Sequence, residues 1–322
     1  MIVRLATYAM ATRFELVLAG EDGADRAGEA RLRAVGEAAL AAIEECERAL
    51  SPFQPASLVS RVNALAAARP IEVDADTFEL FETCAAIQAE SGGAFDLTVA
   101  PLMRALGFRS PGGRPDSAAE IAGAARAVGG GAIELDRARR TVRFTRPGTA
   151  LDLGAVGKGR ALDLAAAVLR EHGVERAFLH GGTSTALALG APPGAAGWHA
   201  AVGRGRAAPV AHLCDAALSV SAGRGRTLER EGRTLGHVLD PRSGAPARAC
   251  AVAAVIDRTA AAADARSTAL LVLGLGYEPP GCATLVATGN GDDLRWKSSG
   301  SFPGASAFRL PTPPPLELQE LP

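Results

Sequence analysis

The sequence predicts an α+β fold, with mixed or antiparallel sheets and packed helices, and three observations carry this. Strand-like alternation recurs along the chain, but the strands are joined partly by tight hairpins and partly by helices, unlike a regular βαβ winding. Four stretches (26–50, 76–91, 160–172 and 260–273) place apolar residues every three or four positions, the period of an amphipathic helix. Finally, 322 residues with 48% apolar and 21% charged side chains can bury a sizeable core, in one large domain or two.

In chain order, Phe14, Leu16 and Leu18 alternate with opposite-face neighbours and read as the first strand, ending at Gly20. Leu32, Val35, Ala39, Ile43, Cys46 and Leu50 then line one face of a long helix that Pro52 stops. Ser57 is placed to cap a short helical turn. Asp74 or Asp76 opens the next helix, with Phe78, Phe81, Cys84 and Ile87 on one face and Ser91-Gly92-Gly93 at its end. The turn-rich segment 109–117 is the expected linker between an N-terminal part, 1–108, and a C-terminal part, 118–305, unless the two interleave in one domain. Residues 133–135 and 142–144 flank a DRARR turn as a hairpin. A strand at 150–153 is expected to run through a glycine-rich turn into the helix that Gly173 terminates. Strands follow at 177–179, 186–189, 198–202, 218–221 and 250–256, with a last hairpin at 284–287 and 294–296. The proline-rich stretch 306–322 is expected to be an extended tail.

Composition excludes several classes of function. A net charge of −1, from 34 basic and 35 acidic residues, argues against non-specific nucleic-acid binding. The five cysteines (46, 84, 214, 250 and 282) form no C-x-x-C pair or His/Cys cluster, so neither a structural zinc site nor a disulfide framework is expected. The longest apolar stretch, 269–275, is too short to span a membrane. No secretory signal is visible at the N-terminus, so a cytoplasmic location is expected.

Four segments could carry chemistry. LDLGAVGKG (151–159) puts three glycines at a turn into a helix, where free N–H groups and positive potential suit an anion. It matches neither a Walker A loop nor a Rossmann fingerprint, and a glycine turn packed closely on a sheet would explain it as well. Only 2 of the 34 basic residues are lysines, and one of them, Lys158, stands in this turn near Asp152. In AADARSTAL (262–270), Asp264 and Thr268 share a helical face and offer hard oxygen ligands of the kind Mg²⁺ accepts; a capping Asp and a half-buried Thr is the other reading. GHVLDPRSGAP (236–246) is a tight turn whose His237 is either a general base or a hydrogen-bond donor. SGGAFDLTVAPL (91–102) is either a helix C-cap with a packed loop or a loop that closes on a ring system.

Taken together and in this order, these segments are specific. The chain resembles the FAD:protein FMN transferases, the ApbE family, up to about residue 300. The resemblance lies in Met10-Ala11-Thr12, in LSPFQPASLVSRVN with Ser51, Ser57 and Asn63, and in GGAFDLTVAPL. It continues through LDLGAVGKG with Asp163 following, Gly181-Gly182, HVLDPRSG and ADARSTAL. The chain departs from the family where Ala11 replaces a usual Gly, where Thr183-Ser184 stands for a frequent Asp, and where LSVSAG loosens a Thr-Ser-Gly turn.

The resemblance implies an ApbE-like architecture, related to the T-fold, with a flavin cleft between two halves. It implies Mg²⁺-dependent transfer of the FMN half of FAD to a Thr or Ser hydroxyl of an acceptor protein, with release of AMP. By the same resemblance, Asp264 and Thr268 ligate Mg²⁺ through side chains and Ala155 through its carbonyl. Asp152 and Lys158 contact FAD; Met10, Phe53, Ala94, Phe95 and Asp96 hold its rings and ribityl chain; Leu239 lines the pocket. His237 is the expected base at the acceptor hydroxyl, held by the Asp240 turn. Hydrolysis of FAD to FMN and AMP, or flavin binding without turnover, are the competing functions. No acceptor motif stands in the chain itself, so action on a separate protein is expected.

Overall fold

A tight hairpin opens the fold. Strand β1 (Ile2–Ala9) pairs antiparallel with β2 (Thr12–Ala19), and Met10 and Ala11 form the turn with φ of 51° and 56°. The sequence reading took β2 for the first strand. It missed β1 because this edge strand buries only Val3 and Ala9 fully and leaves Tyr8 72% exposed, so its apolar alternation is weak. In this computed structural model, the described residues are 1–20, 25–108, 116–203, 208–223, 227–230, 233–289, 293–303 and 306–310.

After the hairpin come α1 (Arg26–Leu50), α2 (Leu58–Leu65), β3 (Ile71–Glu72), α3 (Ala75–Glu90), α4 (Ala100–Ala105) and α5 (Ala118–Arg126). Next are β4 (Ile133–Asp136), β5 (Thr141–Phe144), α6 (Gly157–Glu171), β6 (Ala177–Gly181) and β7 (Thr185–Leu189). Strands β8 (Trp198–Ala201), β9 (Val210–Leu213), β10 (Ala216–Ala222), β11 (Thr227–Arg230), β12 (Arg233–Gly236) and β13 (Val252–Asp257) follow. The remaining elements are α7 (Ala260–Leu273), β14 (Ala283–Thr288), β15 (Arg295–Gly300) and β16 (Ala307–Arg309). The four long helices lie where the periodicity puts them. Ser57 and Asp74 are N-caps, accepting from the N–H groups of Ser60 and Thr77.

Eight strands form one sheet in the order β1-β2-β6-β7-β10-β13-β14-β15, and every neighbouring pair is antiparallel. This is the α+β arrangement expected. Helices α1, α6 and α7 contribute to the main core, which takes Leu187 and Leu189 from β7 and Ala253 and Val255 from β13. The alternate residues of those strands (Ala186, Ala188, Ala254 and Ile256) pack in a second cluster with β8, β9 and β16. The central strands are thus buried on both faces.

The segment 150–153 departs from expectation. Leu151, Asp152 and Leu153 are all buried, yet the segment joins no sheet. The Asn63 side chain serves instead as its partner: Nδ2 donates to the Leu151 carbonyl at 3.1 Å, and the Leu151 N–H donates to Oδ1 at 2.7 Å. Residues 109–115 of the expected linker and 311–322 of the expected tail lie outside the described residues. Residues 307–309 form β16, against β9.

Candidate functional site

The site is built where two helix N-termini meet. Asp152 N–H donates to the Leu97 carbonyl at 2.8 Å, and Asp152 Oδ1 accepts from the Gly154 N–H at 2.7 Å, which tightens the turn before α6. Val156 is the N-cap of α6 but supplies no side-chain cap. The capping carboxylate comes from another helix: the Gly159 N–H donates to Asp264 Oδ2 of α7 at 2.8 Å. The arrangement is reciprocal. Asp163, on α6, accepts from the N–H groups of Ala260 and Ala261 at 2.7 and 2.9 Å, while Thr259 accepts from Ala262, so the start of α7 is capped too. The helices approach so closely that a Cβ on residue 159 would lie 2.2 Å from the Ala260 carbonyl oxygen, so only glycine fits there. Two helix N-termini are therefore held at one place, each capped by a carboxylate of the other helix.

Asp264 is 4% exposed and surrounded by donors. Its Oδ1 accepts from Thr185 Oγ1 at 2.8 Å and from Ser219 Oγ at 2.5 Å. The Ser267 hydroxyl lies 3.0 Å from that of Ser219 and 2.9 Å from that of Ser221. Thr268 donates its hydroxyl proton to the Asp264 main-chain carbonyl at 3.0 Å, so its oxygen lone pairs are available. Behind this face, Arg266 pairs with Glu90 (2.7 Å) and Asp257 (2.6 Å), which ties α7 to the end of α3, where the 91–96 loop begins.

In that loop Phe95 is 2% exposed and Asp96 is 6% exposed. Burial pushes the Asp96 carboxyl above its usual range, and bonds from the Thr98 hydroxyl and N–H and from the Gln88 amide oppose the shift. Across the cleft, the 236–246 turn closes with Asp240 N–H donating to the Ala245 carbonyl and Gly244 N–H to the Asp240 carbonyl. The Asp240 carboxylate is engaged by its neighbour: Arg242 Nε and Nη2 each donate to it at 2.8 Å and hold its pKa below the usual range.

These elements enclose a cleft of about 380 Å³, within the usual range for small-molecule sites. Of the residues the sequence singled out, Ala94, Phe95, Asp96, Asp152, Ala155, Lys158, His237, Leu239, Asp264 and Thr268 all line it. The lining draws on both sides of the 109–117 segment. Three others stand apart. Met10 lies at the hairpin turn, its N–H donating to Glu47 Oε1 at 2.7 Å, and its sulfur comes near the start of α6. Phe53 is 70% exposed just beyond α1, and Asp240 faces Arg242. Sequence reasoning did not single out Thr185, Ser219, Ser221 and Ser267 as site residues, although LSVSAG holds Ser219 and Ser221 and ADARSTAL holds Ser267; nothing in the spacing says that these hydroxyls meet at Asp264.

The donor set suits a hard cation. A buried carboxylate, the Thr268 hydroxyl and the cleft-lining Ala155 are oxygen ligands of the Mg²⁺ class. No cluster of three or more His, Cys, Asp or Glu residues suited to a metal occurs among the described residues. A cation here would therefore need further negative charge from a bound phosphate.

A family model described as the ApbE family matches residues 10–279. The chain belongs to the ApbE family. It is 32% identical over 228 residues to a FAD:protein FMN transferase of Rhodobacter capsulatus, covering 69% of this chain and 43% of that relative's length. A FAD:protein FMN transferase of Klebsiella pneumoniae is 30% identical over 263 residues, covering 78% of this chain and 74% of the relative. The crystal structure of a Thermotoga maritima ApbE protein superposes with a TM-score of 0.81 at 25% identity, covering 93% of this chain and 97% of that one. The apo flavinyl transferase ApbE of Pseudomonas stutzeri gives 0.79 at 27% identity, covering 92% and 94%. Within this ApbE chain, the motifs that carry the resemblance converge on the cleft: GGAFD, LDLGAVGKG, HVLDPRSG and ADARSTAL all contribute to its wall.

Proposed function

We propose that this chain transfers the FMN half of FAD to a Thr or Ser hydroxyl of a separate acceptor protein, with release of AMP and dependence on Mg²⁺. The observation that carries this reading is the convergence of Lys158, in the first turn of α6, and the Asp264–Thr268 oxygen pair of α7 in one cleft beside the Phe95 loop. A lysine ammonium and hard oxygen donors next to an apolar loop suit a dinucleotide with a flavin ring. The names of the relatives support the same activity.

In this reading Lys158 binds the diphosphate, Asp152 fixes the turn that presents it, and Ala94, Phe95, Asp96 and Leu239 hold the flavin half, with Met10 and Phe53 at its outer edge. Asp264, Thr268 and the Ala155 carbonyl would hold Mg²⁺, which supplies positive charge to the diphosphate oxygens when bound. The acceptor oxygen forms a bond to the FMN phosphorus, the bond from that phosphorus to the oxygen bridging to AMP breaks, and AMP leaves with the electron pair. A ring nitrogen of His237 takes the acceptor's proton, and the Asp240–Arg242 pair stiffens the turn that holds it.

The test is to incubate the protein with FAD and Mg²⁺, with and without candidate acceptor proteins, and to record acceptor intact mass and AMP. An acceptor mass gain of one FMN group with matching AMP is expected. AMP and free FMN without any mass gain would instead indicate hydrolysis, and absence of AMP would indicate binding without turnover.

A further inference from the structure

We propose that Thr185 and Ser219 are positioning residues that set the cation selectivity of the site, by leaving the Asp264 carboxylate a single open coordination position. The proposal rests on the reading above only in placing a cation at Asp264. A carboxylate offers about four lone-pair positions, two on each oxygen. Oδ1 of Asp264 already accepts two hydroxyl protons, from Thr185 at 2.8 Å and Ser219 at 2.5 Å. Oδ2 accepts one, from the Gly159 N–H at 2.8 Å. Oδ1 is therefore filled, and Oδ2 keeps one position.

The two donors are built in. Thr185 is 3% exposed and Ser219 2%, on the neighbouring strands β7 and β10, where they are paired directly across from each other. The Ser267 and Ser221 hydroxyls lie in a row behind Ser219. Rotation of the carboxylate to offer both oxygens would break two bonds to buried hydroxyls.

This arrangement separates cations by how they take a carboxylate. Mg²⁺ demands a near-octahedral shell at roughly 2.0–2.1 Å, whereas Ca²⁺, with ligands at roughly 2.3–2.6 Å, readily takes both oxygens of one carboxylate. A narrow two-oxygen bite does not fit an octahedron. A carboxylate with one open position serves Mg²⁺ and withholds from Ca²⁺ the second oxygen it would use.

The test uses calorimetric titration of Mg²⁺, and separately Ca²⁺, into protein saturated with FAD in the absence of acceptor. Wild type is compared with Thr185→Val, Ser219→Ala and the conservative Thr185→Ser. Thr185→Val and Ser219→Ala are each expected to weaken Mg²⁺ binding about tenfold, the scale of effects from residues that orient a ligand, and to move the Mg²⁺/Ca²⁺ affinity ratio toward Ca²⁺ by a similar factor. Thr185→Ser, which keeps the hydroxyl, is expected to restore the wild-type ratio. A ratio taken on one sample is not moved by a fraction of unfolded protein, so a purely structural defect does not mimic the result. Equal weakening of both ions, with the ratio unchanged, overturns the positioning role alone. Wild-type protein that binds neither ion overturns the cation reading and this proposal with it.

Discussion

Lys158 stands at the second residue of α6, lines the cleft, and makes no hydrogen bond or ion pair with another described residue. A chain that uses arginine almost everywhere keeps a compact ammonium at the start of α6, on the wall of the cleft. Lys158→Ala is expected to weaken FAD binding, and Lys158→Arg to restore it only in part, because a guanidinium fork needs more room than a point charge; equal affinities in a flavin-fluorescence titration would show the lysine to be incidental. His237 poses a sharper case. A hydroxyl is a poor nucleophile at neutral pH, and a positioned base contributes roughly 10²–10⁴ in rate. His237→Ala is expected to lower transfer by about that factor with FAD affinity nearly intact, in single-turnover assays with acceptor. Asp240 competes poorly for this role, because two guanidinium bonds keep it ionised and aimed at Arg242. A His237→Ala rate near wild type, with a collapse in Asp240→Asn, would reverse that assignment.

Between elements, the decisive feature is the reciprocal capping of α6 and α7, and it was only half legible in the sequence. The periodicity placed both helices, and the spacing of Asp264 and Thr268 put them on one face; nothing in it said that α6 and α7 begin side by side. The glycine turn left open both approach to a ligand and close packing; at Gly159 the requirement is packing, set by the Ala260 backbone, and Asp163, four residues later on α6, faces the same junction. Gly159→Ala is expected to push the helices apart and to lose FAD binding together with stability, the loss read as a lowered melting temperature. The 150–153 segment departs from its strand reading for a related reason: a short apolar run reports an extended buried chain, but not whether its partner is a strand or, as here, the Asn63 amide. Asp163 also gives the junction a pH dependence. Burial raises its carboxyl from 3.8 to about 6, against the pull of two N–H donors. With the folded value above the unfolded one, the native state holds the extra proton between them, so this contribution is fully present below pH 3.8 and is lost as pH rises through about 6. Denaturation of wild type and Asp163→Asn at pH 4 to 7 is expected to show wild type losing stability relative to the variant across that window. A pH-independent difference would show that Asp163 does not titrate there.

At the scale of the whole molecule, the cleft is incomplete in charge until its substrate arrives. The N-terminal elements supply the Phe95 loop, the C-terminal ones supply Lys158, Asp264 and Thr268, and Arg266 joins them through Glu90. The proposed cation position has, among the described residues, Asp264 as its carboxylate and otherwise neutral oxygens, so the protein alone would offer Mg²⁺ too little negative charge to hold it tightly. The two ligands should therefore bind as a linked pair: FAD brings the phosphate charge that the metal needs, and the metal relieves repulsion at the diphosphate. Because a ligand at a hundred times its dissociation constant stabilises the native state by roughly 2.7 kcal/mol, thermal unfolding reads this linkage directly. Mg²⁺ alone is expected to leave the melting temperature nearly unchanged, FAD with EDTA to raise it modestly, and FAD with Mg²⁺ to raise it by more than the sum of the two. Asp264→Asn should abolish the excess and keep the part due to FAD alone. Strictly additive shifts in wild-type protein would mean that metal and flavin bind independently, and that the cation belongs somewhere other than between Asp264 and the diphosphate.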